Sequence, residues 1–144
     1  MMFFIQVLSL PLLGLVAWID YRQQRVPNVV VLPAMAAVLG IVLVGGDGWF
    51  VAEHLGCALL LAVAFGLMAL QGGGVGDAKL VTLLGLVWGH LALWMVALAG
   101  VLATVVTVIL AVMSEKPISR GAAFPFVPYL FAGTVVILLT ELAR

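Results

Sequence analysis

Two aspartates are the residues of this chain best suited to chemistry. Asp20 follows an apolar stretch that covers residues 2–19, and Asp77 follows the glycine-rich residues 72–76. Two carboxyl groups whose surroundings differ can divide the roles of general acid and general base, because one holds a proton while the other is ionised. Asp20 and Asp77 are therefore the candidate pair, provided that the fold brings them together.

The composition predicts that these acids belong to a membrane protein. Of the 144 residues, 66% are hydrophobic and 8% are charged, whereas a soluble domain has about a quarter of charged residues. Six basic and six acidic residues give a net charge of zero, which excludes a nucleic-acid partner. The single cysteine, Cys57, excludes an internal disulfide. The length leaves no room for a soluble domain, so residues 1–144 are predicted to form a single transmembrane domain.

The apolar runs predict an all-α integral membrane protein of about six transmembrane helices. A helix over residues 80–113 would be about 51 Å long, too long for one span, so we expect a break near residues 88–90. The fourth span is then short, and the glycine-rich break precedes it. Asn28 is predicted to cap the second helix. The expected spans cover approximately residues 2–19, 28–44, 55–70, 80–88, 91–113 and 124–142.

The basic residues predict the orientation of these spans. Five of them fall in loops on one side, and on the other side is only Arg144. Because basic residues are enriched on the cytoplasmic side, we expect both termini outside and both aspartates near the cytoplasmic face, where an intramembrane acid indicates function. The five basic residues are Arg22, Arg25, Lys79, Lys116 and Arg120.

The surroundings of the two aspartates predict different roles. The glycines before Asp77 permit a positive φ and a close approach of the backbone, where a peptide could lie. Asp77 is expected at the start of the fourth helix, where the helix dipole favours the ionised form. Asp20 is expected at the end of the first helix, where the dipole favours protonation. The hypothesis is that Asp77 is the base and Asp20 the acid.

The spacing of the two aspartates leaves three alternatives open. Acids in cytoplasmic loops are commonly just solvated, so the chain could be a structural subunit of a larger membrane assembly. It could also be a small ion- or proton-coupled transporter or channel subunit, with a broken helix at residues 72–76 lining the pathway. The third alternative is an enzyme in which the two carboxyl groups do acid–base chemistry.

Two segments around the aspartates resemble the signatures of the type IV prepilin peptidases. Residues 20–28 have an aspartate, basic residues and then Val-Pro-Asn, and residues 74–80 contain Gly-x-Gly-Asp followed by Ala-Lys-Leu. Residues 124–129 also resemble the Pro-Phe-x-Pro-Phe segment that opens the last span of the family. The resemblance covers nearly the whole chain.

The resemblance implies an aspartic endopeptidase of the bacterial inner membrane. Such an enzyme removes the basic leader of type IV prepilins at the cytoplasmic face, with two aspartates activating water and with no metal or cofactor. The chain lacks the cysteine-containing insert of longer members, so it resembles the short subgroup of Tad/Flp pilus systems without methyltransferase activity. The implied partners are prepilins with a basic leader and an apolar helix, and membrane lipids. The implied catalytic residues are Asp20 and Asp77, and the implied supporting residues are Pro27, Asn28, Gly74, Gly76 and Lys79.

Several other polar and aromatic residues map to the outer side of the membrane. No pair of metal-ligand types there has helical i, i+4 spacing, so we expect exposed interfacial residues rather than a metal site. The tryptophans are expected as anchors of an aromatic belt. Gly85 and Gly89 form a Gly-x-x-x-Gly pair that predicts close packing within the molecule, with a homodimer as the alternative. The polar residues are Asp47, Glu53, His54 and His90, and the tryptophans are Trp49, Trp88 and Trp94.

Overall fold

The computed structural model describes residues 2–23, 26–71, 74–114 and 126–143, and each element in these ranges is an α-helix. The all-α prediction is confirmed, including the short fourth helix. Four helices are long and apolar enough to cross a membrane, and the last helix is apolar but shorter. The helices are α1 (Met2–Gln23), α2 (Asn28–Gly45), α3 (Gly48–Leu70), α4 (Val75–Trp88), α5 (Leu91–Ser114) and α6 (Val127–Leu142).

Some predicted features lie outside the described residues. The expected turn of basic and proline residues before α6 falls in residues 115–125, and half of the glycine cluster falls at residues 72 and 73. The individual residues concerned are Arg25, Gly72, Gly73, Lys116, Arg120, Pro125 and Arg144.

The shortest helix, α4, forms the centre of the bundle. It contacts α1, α2, α3 and α5, while α6 packs against α1 and α5. From Leu80 to Trp88 nearly every residue of α4 is buried, as expected of a helix that is apolar all round. In the four long helices only 11–22% of the candidate span is buried, so most of their apolar surface faces outward. The helix that carries Asp77 is therefore held by protein on its sides.

Close backbone contacts join α4 to α3. A Cβ added at Gly85 would lie 2.6 Å from the Cα of Ala58, so glycine is required for the two helices to approach. Gly89 ends α4 with a φ of 54°, a backbone conformation that favours glycine. The predicted break after α4 and the predicted internal packing at Gly85 are both confirmed.

The third helix is longer than the sequence predicts. It begins at Gly48 rather than near residue 55, because the Asp47 carboxylate accepts a hydrogen bond of 2.8 Å from the backbone N–H of Phe50. An aspartate at this position satisfies an amide that otherwise has no partner within the helix. Hydropathy alone missed this start since residues 48–54 include Glu53 and His54.

At the same end of the bundle, one histidine is buried. The Nδ1 atom of His90 lies 2.6 Å from Oε1 of Glu53, and this pair joins the turn after α4 to α3. His90 is exposed as predicted. His54 is only 6% exposed, so its prediction as an exposed interfacial residue is wrong. It faces the turn at Gly89, where an added Cβ would lie 3.2 Å from its Nε2 atom.

Two of the three outer tryptophans have the predicted exposure. Trp49 and Trp94 are exposed, as expected of aromatic-belt residues. Trp88 is only 3% exposed, and its indole Nε1 donates a hydrogen bond of 3.2 Å to Oγ of Ser9. The belt prediction is wrong for Trp88 because α4 is central and its last turn faces α1 rather than lipid.

Replacing Gly85 with alanine is expected to destabilise the contact between α3 and α4. The new Cβ would meet backbone atoms of Ala58, which cannot move aside as a flexible side chain can. Overpacking of this kind costs about 1–3 kcal/mol, so Gly85→Ala should lower the midpoint of thermal unfolding in detergent. Gly56→Ala is the control, because its Cβ would meet nothing within 4 Å. Equal midpoints for the two variants would contradict the close packing.

Candidate active site

The two signature segments meet at one end of the bundle, which we call the aspartate end. It consists of the last turns of α1, residues 26–28 and the first turns of α4 and α6. A Cβ added at Gly76 would lie 2.7 Å from the Cβ of Val26, so α4 begins directly against the residues that precede α2. Lys79 Nζ donates a hydrogen bond of 2.9 Å to Oδ1 of Asn28. Segments that are far apart in sequence are thus joined by a backbone approach and a side-chain hydrogen bond.

Asn28 therefore has a different role from the predicted helix cap. Helix α2 begins at Asn28 itself, with Pro27 in the cap position and without a side-chain capping hydrogen bond. Because Pro27 occupies the cap position, the Asn28 side chain does not cap the helix and can accept the hydrogen bond from Lys79. The N-cap prediction is wrong, but the Asn28 amide does connect the second signature to the first.

The Asp20 side chain lies inside the bundle and is only 6% exposed. Its carboxyl group accepts a hydrogen bond from the backbone N–H of Val127, the first residue of α6. Oδ2 is buried and has no hydrogen-bond partner among the described residues. A buried carboxylate oxygen without a partner is costly and indicates a site for a further ligand.

Helix α1 continues past Asp20 to Gln23. The guanidinium carbon of Arg22 lies 4.6 Å from the centroid of the Trp18 ring, and a contact between positions four apart supports this last turn. Asp20 therefore lies in the last turn of α1, three residues before its last described residue, where the helix dipole disfavours a charged carboxylate. The Val127 amide at the N-terminus of α6 acts in the opposite sense, because it favours negative charge on Asp20. The assignment of acid and base remains a prediction.

Asp77 lies in the first turn of α4, as predicted, and is partly buried. A Cβ added at Gly74 would lie only 2.9 Å from Oδ2 of Asp77, so this glycine leaves the space into which the carboxyl group folds back. The φ of Gly74 is −72°, and among the described glycines only Gly89 has a positive φ. Gly74 thus does not use the positive φ that glycine permits, and it contributes space for the Asp77 carboxyl group instead.

The two carboxyl groups are close enough for the charge of Asp20 to act on Asp77. Arg22 stacks on Trp18 and Lys79 binds Asn28, so neither of these described basic side chains neutralises the pair. The absence of an Asp77–Lys79 ion pair agrees with their spacing of two residues on a helix. Two carboxyl groups that act on each other in this way can divide the roles of proton donor and proton acceptor.

An apolar cavity of about 410 Å³ opens beside Asp77, between α3, α4, α5 and the start of α6. Asp77 is its one charged lining residue, and the rings of Phe65 and Phe126 lie 5.7 Å apart at its wall. Most of this lining cannot be predicted from the sequence, because it comes from helices without a motif and depends on tertiary packing. The lining residues are Phe65, Met68, Ala69, Gly74, Asp77, Val96, Gly100 and Phe126.

The described residues contain no group of three or more His, Cys, Asp or Glu side chains arranged to bind a metal ion. The site in the described part of the chain therefore consists of two carboxyl groups, backbone amides and an apolar cavity. This set of groups fits proton transfer to and from a substrate or a water molecule.

A profile of the type IV leader peptidase family matches residues 7–112, which contain both aspartates. The chain belongs to the type IV leader peptidase family. The resemblance noted in the sequence is thereby confirmed. A search of curated proteins and a search of solved structures each gave no match. Family membership and the apolar helices together identify a membrane protein of the peptidase class.

The match to the leader peptidase family ends before α6. This helix nevertheless supplies the Val127 amide to Asp20 and is preceded by Phe126, which lines the cavity beside Asp77. The segment 124–129, which resembles a family signature, thus contacts both Asp20 and the cavity beside Asp77 through its described residues.

The hydrogen bond between Lys79 and Asn28 is expected to stabilise the aspartate end. Hydrogen bonds to charged groups contribute about 1.5–3 kcal/mol, and exposure lowers this value. Lys79→Met and Asn28→Ala should each lower the thermal midpoint in detergent, and the double variant should lose less than the sum, since both remove one bond. Asp47→Ala at the opposite end of the bundle is the control, because its effect should add to that of Lys79→Met. Simple addition of the Lys79 and Asn28 effects would contradict the coupling.

Proposed function

We propose that the chain is an aspartic endopeptidase that removes the basic leader of type IV prepilins at the cytoplasmic face of the bacterial inner membrane. The observation that supports this most strongly is the convergence of Asp20 and Asp77, from two different helices, without a neutralising basic side chain among the described residues. Family membership supports the peptidase class. It also argues against a transporter or a purely structural subunit.

The proposed reaction is hydrolysis of an amide without a covalent intermediate. The ionised carboxylate removes a proton from a water molecule, and the water oxygen attacks the scissile carbonyl carbon. The protonated carboxyl group donates a hydrogen bond to the carbonyl oxygen as it becomes negative. The C–N bond then breaks, and the amine leaves with a proton that came from the attacking water. The reaction needs neither a metal nor a cofactor.

The hydrogen bonds of Asp20 fit this reaction. The Val127 amide binds the Asp20 carboxyl group, and Oδ2 has no partner among the described residues. A carboxyl group held by a backbone amide is already oriented, so Oδ2 can bind water or the substrate carbonyl. Gly74 provides the corresponding space for Asp77.

The apolar cavity beside Asp77 is the proposed binding site for the apolar part of the substrate. Its lining consists of aliphatic and aromatic residues apart from Asp77, which suits the apolar helix that follows a prepilin leader. The leader itself is basic and would remain in the cytoplasm, on the side of the membrane that the positive-inside rule assigns to the aspartate end.

The Flp-type subgroup is proposed from the short connection between α1 and α2. Only residues 24–27 separate the two helices, and the chain has a single cysteine, whereas the insert of longer members contains paired cysteines. Cys57, the single cysteine, lies within α3. We therefore expect leader removal without N-methylation of the product.

Neutralising either aspartate is expected to abolish leader cleavage. Asp20→Asn and Asp77→Asn each remove a group that must transfer a proton, and loss of acid–base catalysis costs about 10²–10⁴-fold in rate. The measurement is leader removal from a co-expressed Flp-type prepilin, which is detected as a change in the electrophoretic mobility of the prepilin. Asp47→Asn is the matched control, since asparagine still caps α3.

Cleavage that survives at the wild-type rate in either variant would contradict the catalytic assignment. Ion flux through reconstituted wild-type protein, without any cleavage, would favour the transporter alternative instead. If the wild-type protein shows neither prepilin cleavage nor ion flux, the structural-subunit alternative is favoured.

Filling the cavity beside Asp77 is expected to weaken cleavage without unfolding the protein. A Cβ at Gly100 would meet nothing within 4 Å, yet Gly100 lines the cavity. Gly100→Leu should therefore lower kcat/KM by about tenfold or more through lost apolar contact with the substrate, with an unchanged thermal midpoint. Gly40→Leu on α2, also in open space, should leave cleavage unchanged. Equal activity of the two variants would exclude the cavity as the substrate site.

A further inference from the structure

A second polar contact between α1 and α4 lies far from the aspartates. The buried Trp88 indole donates to the Ser9 hydroxyl over 3.2 Å, and the Ser9 hydroxyl donates to the backbone carbonyl of Gln6 over 2.6 Å. The indole N–H and the hydroxyl hydrogen both have acceptors. Losing the acceptor would leave a buried N–H unpaired in an apolar environment, which is costly.

The spacing of this contact from the aspartates is the same on both helices. Ser9 precedes Asp20 by eleven residues on α1, and Trp88 follows Asp77 by eleven residues on α4. The two helices run in opposite directions, and each rises 1.5 Å per residue, so both intervals are about 16 Å. A hydrogen bond that aligns Ser9 with Trp88 therefore also aligns the two carboxyl groups at the same depth.

The rest of the interface between α1 and α4 is small. Helix α4 packs more extensively against α2, α3 and α5 than against α1. The buried side chains of both helices are mainly aliphatic, such as Val16 on α1 and Leu84 on α4, and contacts of aliphatic side chains have little directional preference. A directional hydrogen bond can thus determine how far α1 is shifted along α4.

We propose that Ser9 and Trp88 are positioning residues that set the register of α1 against α4 and thereby keep the carboxyl groups of Asp20 and Asp77 at the same depth. The proposal rests on the proposed peptidase function. Neither residue lines the cavity at Asp77, so they act through the helices and not on the substrate. A shift of one residue would separate the carboxyl groups by a further 1.5 Å or so, and misplacement by about 1 Å can cost 10²-fold in rate.

The test is the kinetics of prepilin cleavage by purified full-length protein in lipid nanodiscs. Ser9→Ala and Trp88→Phe should each lower kcat by about tenfold or more and leave KM unchanged, because the substrate cavity is intact. The double variant should be no slower than the slower single variant, since both substitutions break the same bond. Ser9→Thr retains the hydroxyl and should restore kcat.

Two substitutions serve as matched controls. Trp94→Phe removes an indole N–H from an exposed tryptophan, and Thr140→Ala removes an exposed hydroxyl that bonds to a carbonyl three residues earlier in its own helix. Both should leave kcat unchanged. A rise in KM, an unchanged kcat, or independent losses that multiply in the double variant would overturn the proposal.

A distance measurement separates this proposal from the proposed function. Spin labels on cysteines at Gln23 and Val75, both exposed residues at the aspartate end, report the separation of α1 and α4 in a Cys57→Ser background. Ser9→Ala and Trp88→Phe should shift or broaden this distance, while Ser9→Thr and Trp94→Phe should not. An unchanged distribution in Ser9→Ala would refute the register role, even if the wild type cleaves no prepilin.

Discussion

Keeping two like-charged carboxyl groups together and out of water is the constraint on which the rest of this structure depends. A buried charge without a cation is costly, and the described basic side chains near Asp20 and Asp77 contact other groups. The backbone amide of Val127, at the start of α6, partly offsets this cost for Asp20, and Gly74 leaves the space that the Asp77 carboxyl group occupies. Both depend on the placement of helix ends, so the bundle has to hold α1, α4 and α6 in one arrangement.

The central position of α4 provides that arrangement. Helices in lipid gain little from burying apolar side chains against one another, so close backbone packing and hydrogen bonds stabilise their association. Gly85 permits this against α3, and Gly133 permits it between α6 and α5, where an added Cβ would lie 2.8 Å from the carbonyl oxygen of Met95. Helix α4 is thereby fixed by its neighbours, while the longer helices present apolar side chains to their surroundings.

The features that the sequence predicts well are local ones. The hydropathy and the positions of the glycines predict the helices and the break at Gly89. The motif around Asp77 is recognisable from the sequence alone. The features that it missed depend on which helix is central. Tryptophan is typical of membrane anchors, but Trp88 is buried because α4 is the central helix. The Val127 amide reaches Asp20 only because α6 packs on α1. The sequence indicates that the glycines before Asp77 permit a close approach, but it does not show that Gly74 leaves space for the Asp77 carboxyl group itself.

The shortness of α6 has a consequence for the surrounding lipid. With 16 residues, this helix extends about 24 Å, against about 30 Å of hydrocarbon in a typical bilayer. A protein accommodates such hydrophobic mismatch by thinning the adjacent leaflets. Thinning beside α6 would bring the hydrated headgroups closer to the N-terminus of that helix. A substrate amide bond at this position would then meet water, although the apolar helix of the substrate remains among the acyl chains.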